Sequence, residues 1–279
     1  MVGAMTDADT RPSVPDSDAA VDAVVIGRNE GARLVACLAS LTGQVRRVIY
    51  VDSGSTDGSA AAAAAAGAEV VALDTDCPFT AARARNAGLA RLQGNGFVQF
   101  LDGDCELRSG WIAAARAAMA AHPAAAVICG RRRERFPEAS VWNRLIDREW
   151  DTPVGRARAC GGDALMPLAA LRAVGGFRDD LIAGEEPELC LRLIRAGGEV
   201  WRIDAEMTLH DAGMTRLDQW WRRSLRAGHA FAEGAALHGT GPERHWLREV
   251  WRALFWAIGV PATAACAALI HPAGWLLLG

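Results

Sequence analysis

Residues 97–104 read Phe-Val-Gln-Phe-Leu-Asp-Gly-Asp, and this stretch decides the fold. Residues 97–101 are large and apolar apart from Gln99, the composition of a strand covered on both faces. Asp102 and Asp104 therefore project from the carboxyl end of a strand, with Gly103 allowing a tight bend between them. Upstream, residues 23–26, 45–51 and 69–73 are predicted strands. Helical patterns separate them. Leu34, Val35, Leu38 and Leu41 recur at helical spacing within 31–41, alanine dominates 56–66, and 81–92 forms a third helix. Strands alternating with helices of this length predict an α/β fold with a doubly wound, mostly parallel sheet.

Ligands of such sheets bind beyond the carboxyl ends of the strands. Three polar clusters lie there: Arg28-Asn29-Glu30, Asp52-Ser53-Gly54-Ser55 and Asp102-Gly103-Asp104. Asp-Gly-Asp alone is also what a tight turn uses. Two carboxylates held close together in a crevice repel, and burying them unpaired is costly. A bound Mg²⁺ or Mn²⁺ removes that cost, because hard divalent cations prefer carboxylate and phosphate oxygens.

Composition narrows the setting. Hydrophobic residues make up 51% of the 279, charged residues 23%, and the net charge is -3. That balance gives no global attraction to nucleic acid, so an anionic ligand needs a local site. The seven cysteines are odd in number and never form a C-x-x-C pair. Their spacing excludes the usual zinc motifs and argues against a disulfide framework, which favours a reduced, cytosolic setting. Residues 1–20 lack a basic start and an apolar run, and read as a disordered leader.

The order Val-Val-Ile-Gly-Arg-Asn-Glu-Gly (24–31), Tyr-Val-Asp-Ser-Gly-Ser-Thr-Asp-Gly-Ser (50–59), Ala-Arg-Asn-Ala-Gly (84–88) and Phe-Leu-Asp-Gly-Asp (100–104) resembles the family 2 glycosyltransferases. Val-Gly-Gly-Phe-Arg-Asp-Asp-Leu (174–181) and Gly-Glu-Glu-Pro-Glu-Leu-Cys-Leu-Arg-Leu (184–193) continue the resemblance. It implies a glycosyltransferase A-type fold and transfer from a nucleotide-sugar, a UDP-sugar first, with a Mn²⁺ or Mg²⁺ cofactor. It further implies that Asp52 and Ser53 lie in the base pocket with Arg28 and Glu30. Arg85 would sit near the base or diphosphate, Asn86 would fix its loop, Asp102 would meet ribose or metal, and Asp104 would bind the metal.

By the same resemblance, the helix opening at Glu185-Glu186 supplies the base that deprotonates the acceptor for attack with inversion. Glu186 takes that position by alignment, with Glu185 beside it. Three departures stand out: Gly27 in place of the family's Pro, Arg28 in place of Tyr or Thr, and Glu-Glu in place of Glu-Asp. Acids before Pro187 would also stabilise any helix.

In the second half, 111–121, 167–174, 187–196 and 215–237 are predicted helices, and 125–130 and 200–203 strands. His210 is a candidate metal ligand, and Gly162-Asp163 a candidate sugar or acceptor contact. Arg131-Arg132-Arg133 with Arg135 reads as a solvated strand end, with acceptor or phosphate contact as the lesser reading; no aromatic interleaving suggests nucleic acid. Trp220, Trp221, Trp246, Trp251 and Trp256 alternate with arginines, as in a helix at a membrane surface. The apolar stretch after them reaches the roughly 20 residues that span a bilayer.

The expected organisation is a leader (1–20), a catalytic domain (21–213), an amphipathic Trp/Arg-rich region (214–248) and a membrane-embedded segment (249–279). The enzyme would act at the cytoplasmic face of a membrane on a lipid-linked or envelope glycan. Two rivals stand: a nucleotidyltransferase, for which Gly27-Arg28-Asn29-Glu30-Gly31 is a poor phosphate loop, and a non-catalytic membrane scaffold.

Overall fold

The computed structural model describes Pro15 and residues 19–74 and 76–271; most of the expected leader and residues 272–279 lie outside the described residues. The first half alternates as the sequence predicts: β1 (Val21–Gly27), α1 (Ala32–Leu41), β2 (Val48–Asp52), α2 (Ser59–Ala65), β3 (Glu69–Ala72), α3 (Ala81–Leu89) and β4 (Phe97–Asp102). The second half is less regular. It runs through β5 (Cys105–Leu107), α4 (Trp111–Ala121), β6 (Ala125–Glu134), α5 (Val141–Trp150), β7 (Gly155–Ala157) and β8 (Ala164–Pro167). It continues with α6 (Leu168–Ala173), α7 (Glu185–Arg195), β9 (Glu199–His210), α8 (Leu217–His238), α9 (Leu247–Leu254) and α10 (Val260–Ile270).

The strands form a mixed sheet in the order β3-β2-β1-β4-β8-β6-β9-β5, with β7 pairing on β9. β1 to β4 are mutually parallel, and β8 runs antiparallel between β4 and β6. Three sequence expectations change. β6 continues to Glu134, so the arginine run lies on a strand. β9 extends from Glu199 through His210 as one strand. β5, α5, β7 and β8 were not predicted.

Register aligns the polar clusters. Gly27 stands opposite Asp52, and Ile26 opposite Asp102, so three strands end at one edge. Phe100 opposite Ala164 brings Asp163 alongside β4. His210 faces both Cys105 and Glu134.

The core lies on both faces of β1 and β4, whose residues 23–25 and 97–101 are buried. Gln99, the one polar residue in that run, is satisfied by Trp111, whose indole Nε1 donates to its Oε1 at 2.8 Å. α3 packs against β1 through Gly88; a Cβ there would lie 2.4 Å from Val24 Cγ1.

The chain divides into two compact units, residues 1–181 with 185–217, and 182–184 with 218–279. In the second, Trp246 adopts φ 55° and lays its ring against Gly234 and Phe231. Residues 247–270 form one continuous 24-residue helix, long and apolar enough to cross a membrane, with little of it buried. Its middle, Phe255–Gly259, is a π-helical turn just before Pro261. Pro261 has no N–H to give the preceding turn, and a wider turn accommodates that loss.

Candidate active site

Asp52 ends β2 and is buried. Its Oδ2 accepts from the N–H groups of Gly54 and Ser55, and Tyr50 donates to Oδ1 at 3.0 Å. The carboxylate thus shapes its own turn while Oδ1 keeps a free lone pair. The Ser53 N–H donates to the Gly27 carbonyl, tying this loop to β1. Asn29, at φ 57°, accepts from Thr56 N–H through Oδ1, and its own N–H donates to Ser55. Arg28 is exposed and lies over the Phe79 ring at 4.8 Å. Glu30 is half-buried and pairs with Arg33 at 2.6 Å. Burial pushes its carboxyl up, partly countered by Arg33, and the nearby Asp104 and Asp102 add to the rise.

Asp102 ends β4 and Asp104 follows it, and the two carboxylates have different nearest polar partners. Gly103 has no left-handed backbone; a Cβ there would crowd the Ile26 carbonyl oxygen at 3.1 Å. Asp102 accepts from Arg85 Nη2 at 2.8 Å and from Arg132 Nη2 at 3.2 Å. Asp104 lies 3.3 Å from His210 Nε2. Burial raises the Asp104 carboxyl, but the His210 hydrogen bond and charge, with Arg132 and Arg33, outweigh it and hold it at about 2. Burial lowers His210, and the carboxylates of Asp104, at 3.3 Å, and Glu134, 3.8 Å from Nδ1, more than reverse that, so its value rises.

Arg85, on α3, is buried with its guanidinium bridging Asp102 and Glu185, the latter at 2.5 Å. Asn86 accepts the Phe177 N–H and donates to the Phe177 carbonyl and to Asp179, which fixes the loop beneath Arg85. Glu185 is therefore the counterion of Arg85. Glu186 turns elsewhere: Oε1 accepts from Cys160 N–H at 2.5 Å and from Cys190 Sγ at 3.0 Å, and Oε2 from Gly161 N–H at 3.0 Å. Its carboxylate lines a cleft with Arg132, Trp150, Thr152, Gly161 and Arg202.

Two expectations for the second half are corrected. Asp163 is fully buried: Oδ1 accepts from Asp102 N–H, and Oδ2 meets Thr208 Oγ1 and Arg132. It holds Asp102 and Arg132 in place and has no face for a sugar. Gly162 does stand over the site; at φ 101° it leaves room above Asp102 and Arg85. Arg132, read from sequence as solvated, is mostly enclosed among Asp102, Asp163, the Gly161 carbonyl and Cys105, over the Trp150 ring. Strand alternation holds the clue: Arg131 and Arg133 pair with the exposed Asp204 and with Asp147, so Arg132 points the other way.

The donor set fits a divalent cation. Asp104 offers a carboxylate held in its charged form, His210 an imidazole nitrogen, and both face the same point at the sheet edge. A carboxylate with an imidazole suits Mn²⁺ better than the more strictly oxygen-seeking Mg²⁺. The guanidinium groups of Arg85 and Arg132 place two positive charges beside Asp102.

The model of the family described as "Glycosyl transferase family 2" matches residues 22–165, more than half of the chain. A pre-mycofactocin glycosyltransferase of Mycobacterium tuberculosis is 29% identical over 262 residues, covering 84% of this chain and 51% of its own length. The chain thus spans about half the length of the curated relatives it matches. A mannosyltransferase of Pyrobaculum calidifontis, solved with GDP-Man and Mn²⁺, superposes with a TM-score of 0.68 at 20% identity, covering 96% of this chain and 82% of that one. Glucosyl-3-phosphoglycerate synthase of Mycobacterium tuberculosis, solved with Mn²⁺, UDP and glucosyl-3-phosphoglycerate, gives a TM-score of 0.57 at 19% identity, covering 77% of this chain and 80% of that one. At such identities these structures share the fold.

Proposed function

The chain belongs to the family 2 glycosyl transferases, and from that premise we propose that it moves a sugar, with inversion, from a nucleotide-sugar to a hydroxyl of a lipid-linked or envelope glycan. A UDP-sugar is the first donor to consider. The observation that carries this reading is the convergence, at one sheet edge, of the Asp104–His210 pair, the Arg85–Asp102–Arg132 chain and Glu186.

Asp104 and His210 would hold Mn²⁺ or Mg²⁺, which supplies charge neutralisation for the leaving diphosphate. The loops carrying Arg28, Glu30, Asp52 and Ser53 would bind the base and ribose. Arg85 and Arg132 hold Asp102 still and would place positive charge beside the phosphates. Gly162 leaves space for the sugar above them.

Glu186 would take the acceptor's proton. Its Oε1 already accepts two bonds and Oε2 one, so the proton would go to Oε2, and the Cys160 and Gly161 N–H groups aim the carboxylate into the cleft. Glu185, committed to Arg85, would act on the donor side. In this reading residues 21–213 are the catalytic domain, 214–248 lie at the cytoplasmic membrane surface, and 249–279 enter the bilayer. Exposed Trp251, Phe255, Trp256 and Ile258 support that placement.

The test is nucleoside diphosphate release from a panel of nucleotide-sugars with acceptors, in Mn²⁺ and in chelator. Release that needs the metal and is lost in Asp104→Ala supports the reading. Pyrophosphate formation from a nucleoside triphosphate would instead identify a nucleotidyltransferase, and silence across the panel a scaffold.

A further inference from the structure

Glu186 sits among sulfur atoms. Cys160, Glu186 and Cys190 are all buried, and one ligating atom from each lies within 4.8 Å of the others. Cys190 Sγ is 3.0 Å from Glu186 Oε1. Cys129, also buried, is close enough to interact electrostatically with both cysteines. β6 supplies Cys129, the loop before β8 Cys160, and α7 both Glu186 and Cys190. The sequence spacing that excludes a zinc motif is overcome by the fold, which gathers these thiols from distant segments.

We propose that Cys160, Cys190 and Glu186, with Cys129 in reach, form a second cation site, selective for Zn²⁺ or a similarly thiophilic ion, whose occupation withdraws Glu186 from proton transfer. Only the inhibitory half rests on Glu186 being the base of the proposed reaction. Ligand bonds of about 2.3 Å to sulfur and about 2.0–2.2 Å to oxygen place tetrahedral ligand atoms roughly 3.3–3.8 Å apart. Reaching that spacing, with Cys190 Sγ and Glu186 Oε1 opening from 3.0 Å and wider pairs closing from up to 4.8 Å, asks for side-chain adjustments of about 1 Å. The cleft that Cys160, Gly161 and Glu186 line gives the ion a path.

Ligand softness separates this site from the one at Asp104. Mn²⁺ and Mg²⁺ favour carboxylate and phosphate oxygens, whereas two thiolates select Zn²⁺ or Cd²⁺. The Asp104–Cys105–His210 group contains a single thiol. Burial pushes the Cys160 thiol well up, and Cys129 reaches about 12 for the same reason. Both are protonated in the cation-free protein, so uptake releases protons and strengthens as pH rises.

Cd²⁺ titration of the full chain in a non-thiol reductant, followed by the ultraviolet thiolate-to-cadmium band, tests the site without any glycosyl transfer. The wild type is expected to give a saturable band at one equivalent, kept in Cys105→Ser and lost in Cys160→Ser/Cys190→Ser. Glu186→Gln, which keeps both thiols, is expected to bind at least about tenfold more weakly. No band in the wild type, or a band that disappears with Cys105, overturns the site.

For the inhibitory half, Zn²⁺ added at fixed Mn²⁺ is expected to suppress nucleoside diphosphate release in the wild type. Equal suppression in the double cysteine variant overturns that half. Cd²⁺ binding at these thiols in a chain that releases no nucleoside diphosphate would sustain the site while counting against the transferase reading.

Discussion

Arg132 is where one side chain decides whether the site can exist. It compensates two carboxylates, the buried Asp163 and the partly exposed Asp102, and donates to the Gly161 carbonyl. Arg132→Leu leaves those acids short of a counterion, and breaking a buried pair in this way costs about 3–5 kcal/mol. Urea denaturation is expected to show that loss, with Arg132→Lys intermediate. Glu30 makes the opposite case. Its carboxyl is raised by burial, so its folded value lies above the unfolded one. Stability from this group is full below the unfolded carboxylate range and declines as pH rises through the folded value. Glu30→Gln removes that decline, so it is expected to be more stable than wild type at neutral pH and to converge with it in acid, by denaturant midpoints. Sequence motifs pointed to Asp102, Asp104, Arg85, Glu186 and His210. They hid Arg132, because a block of like charges masks the two-residue alternation of a strand. They also offered Asp163 as a sugar contact, since no local pattern announces that a loop acid will be buried by a neighbouring strand.

Among elements, the parallel half was legible because each strand is buried on both faces and each helix keeps its spacing. β5 and β8 were not, being only three and four residues long. β8 runs into α6 at Pro167, which reads equally well as the first residue of a helix. Yet β8 and β9 carry Asp163, Thr208 and His210 to the site, so the least legible elements complete the one the motifs began. The packing of α3 on β1 controls where Arg85 stands. Gly88→Ala places a methyl group against Val24 in a close-packed layer, and overpacking of this kind costs about 1–3 kcal/mol. Thermal denaturation of Gly88→Ala is expected to show that loss.

At the scale of the molecule, the second unit presents tryptophans that its own interior does not cover. Trp251 and Trp256 are 66% and 65% exposed. If a bilayer receives them, the full chain floats with anionic phospholipid vesicles. Each Trp→Ser change then weakens binding about tenfold, the effect of one large apolar side chain left unburied. Failure of the wild type to float would remove the membrane, and flotation unchanged by both substitutions would remove these tryptophans as its contact. Length and apolarity of this helix were plain in the sequence; the π-helical turn before Pro261 was not, because it answers a missing backbone donor that composition does not register.

The central claim is a division of labour between adjacent acids, Glu186 acting on the acceptor and Glu185 on the donor side through Arg85. Steady-state nucleoside diphosphate release, at saturating Mn²⁺ with donor and acceptor varied, tests it most directly. Glu186→Gln is expected to lower kcat by about 10²–10⁴-fold with donor KM little changed, and Glu185→Gln to raise donor KM. Wild-type kcat in Glu186→Gln, with the loss falling on Glu185→Gln, would contradict it.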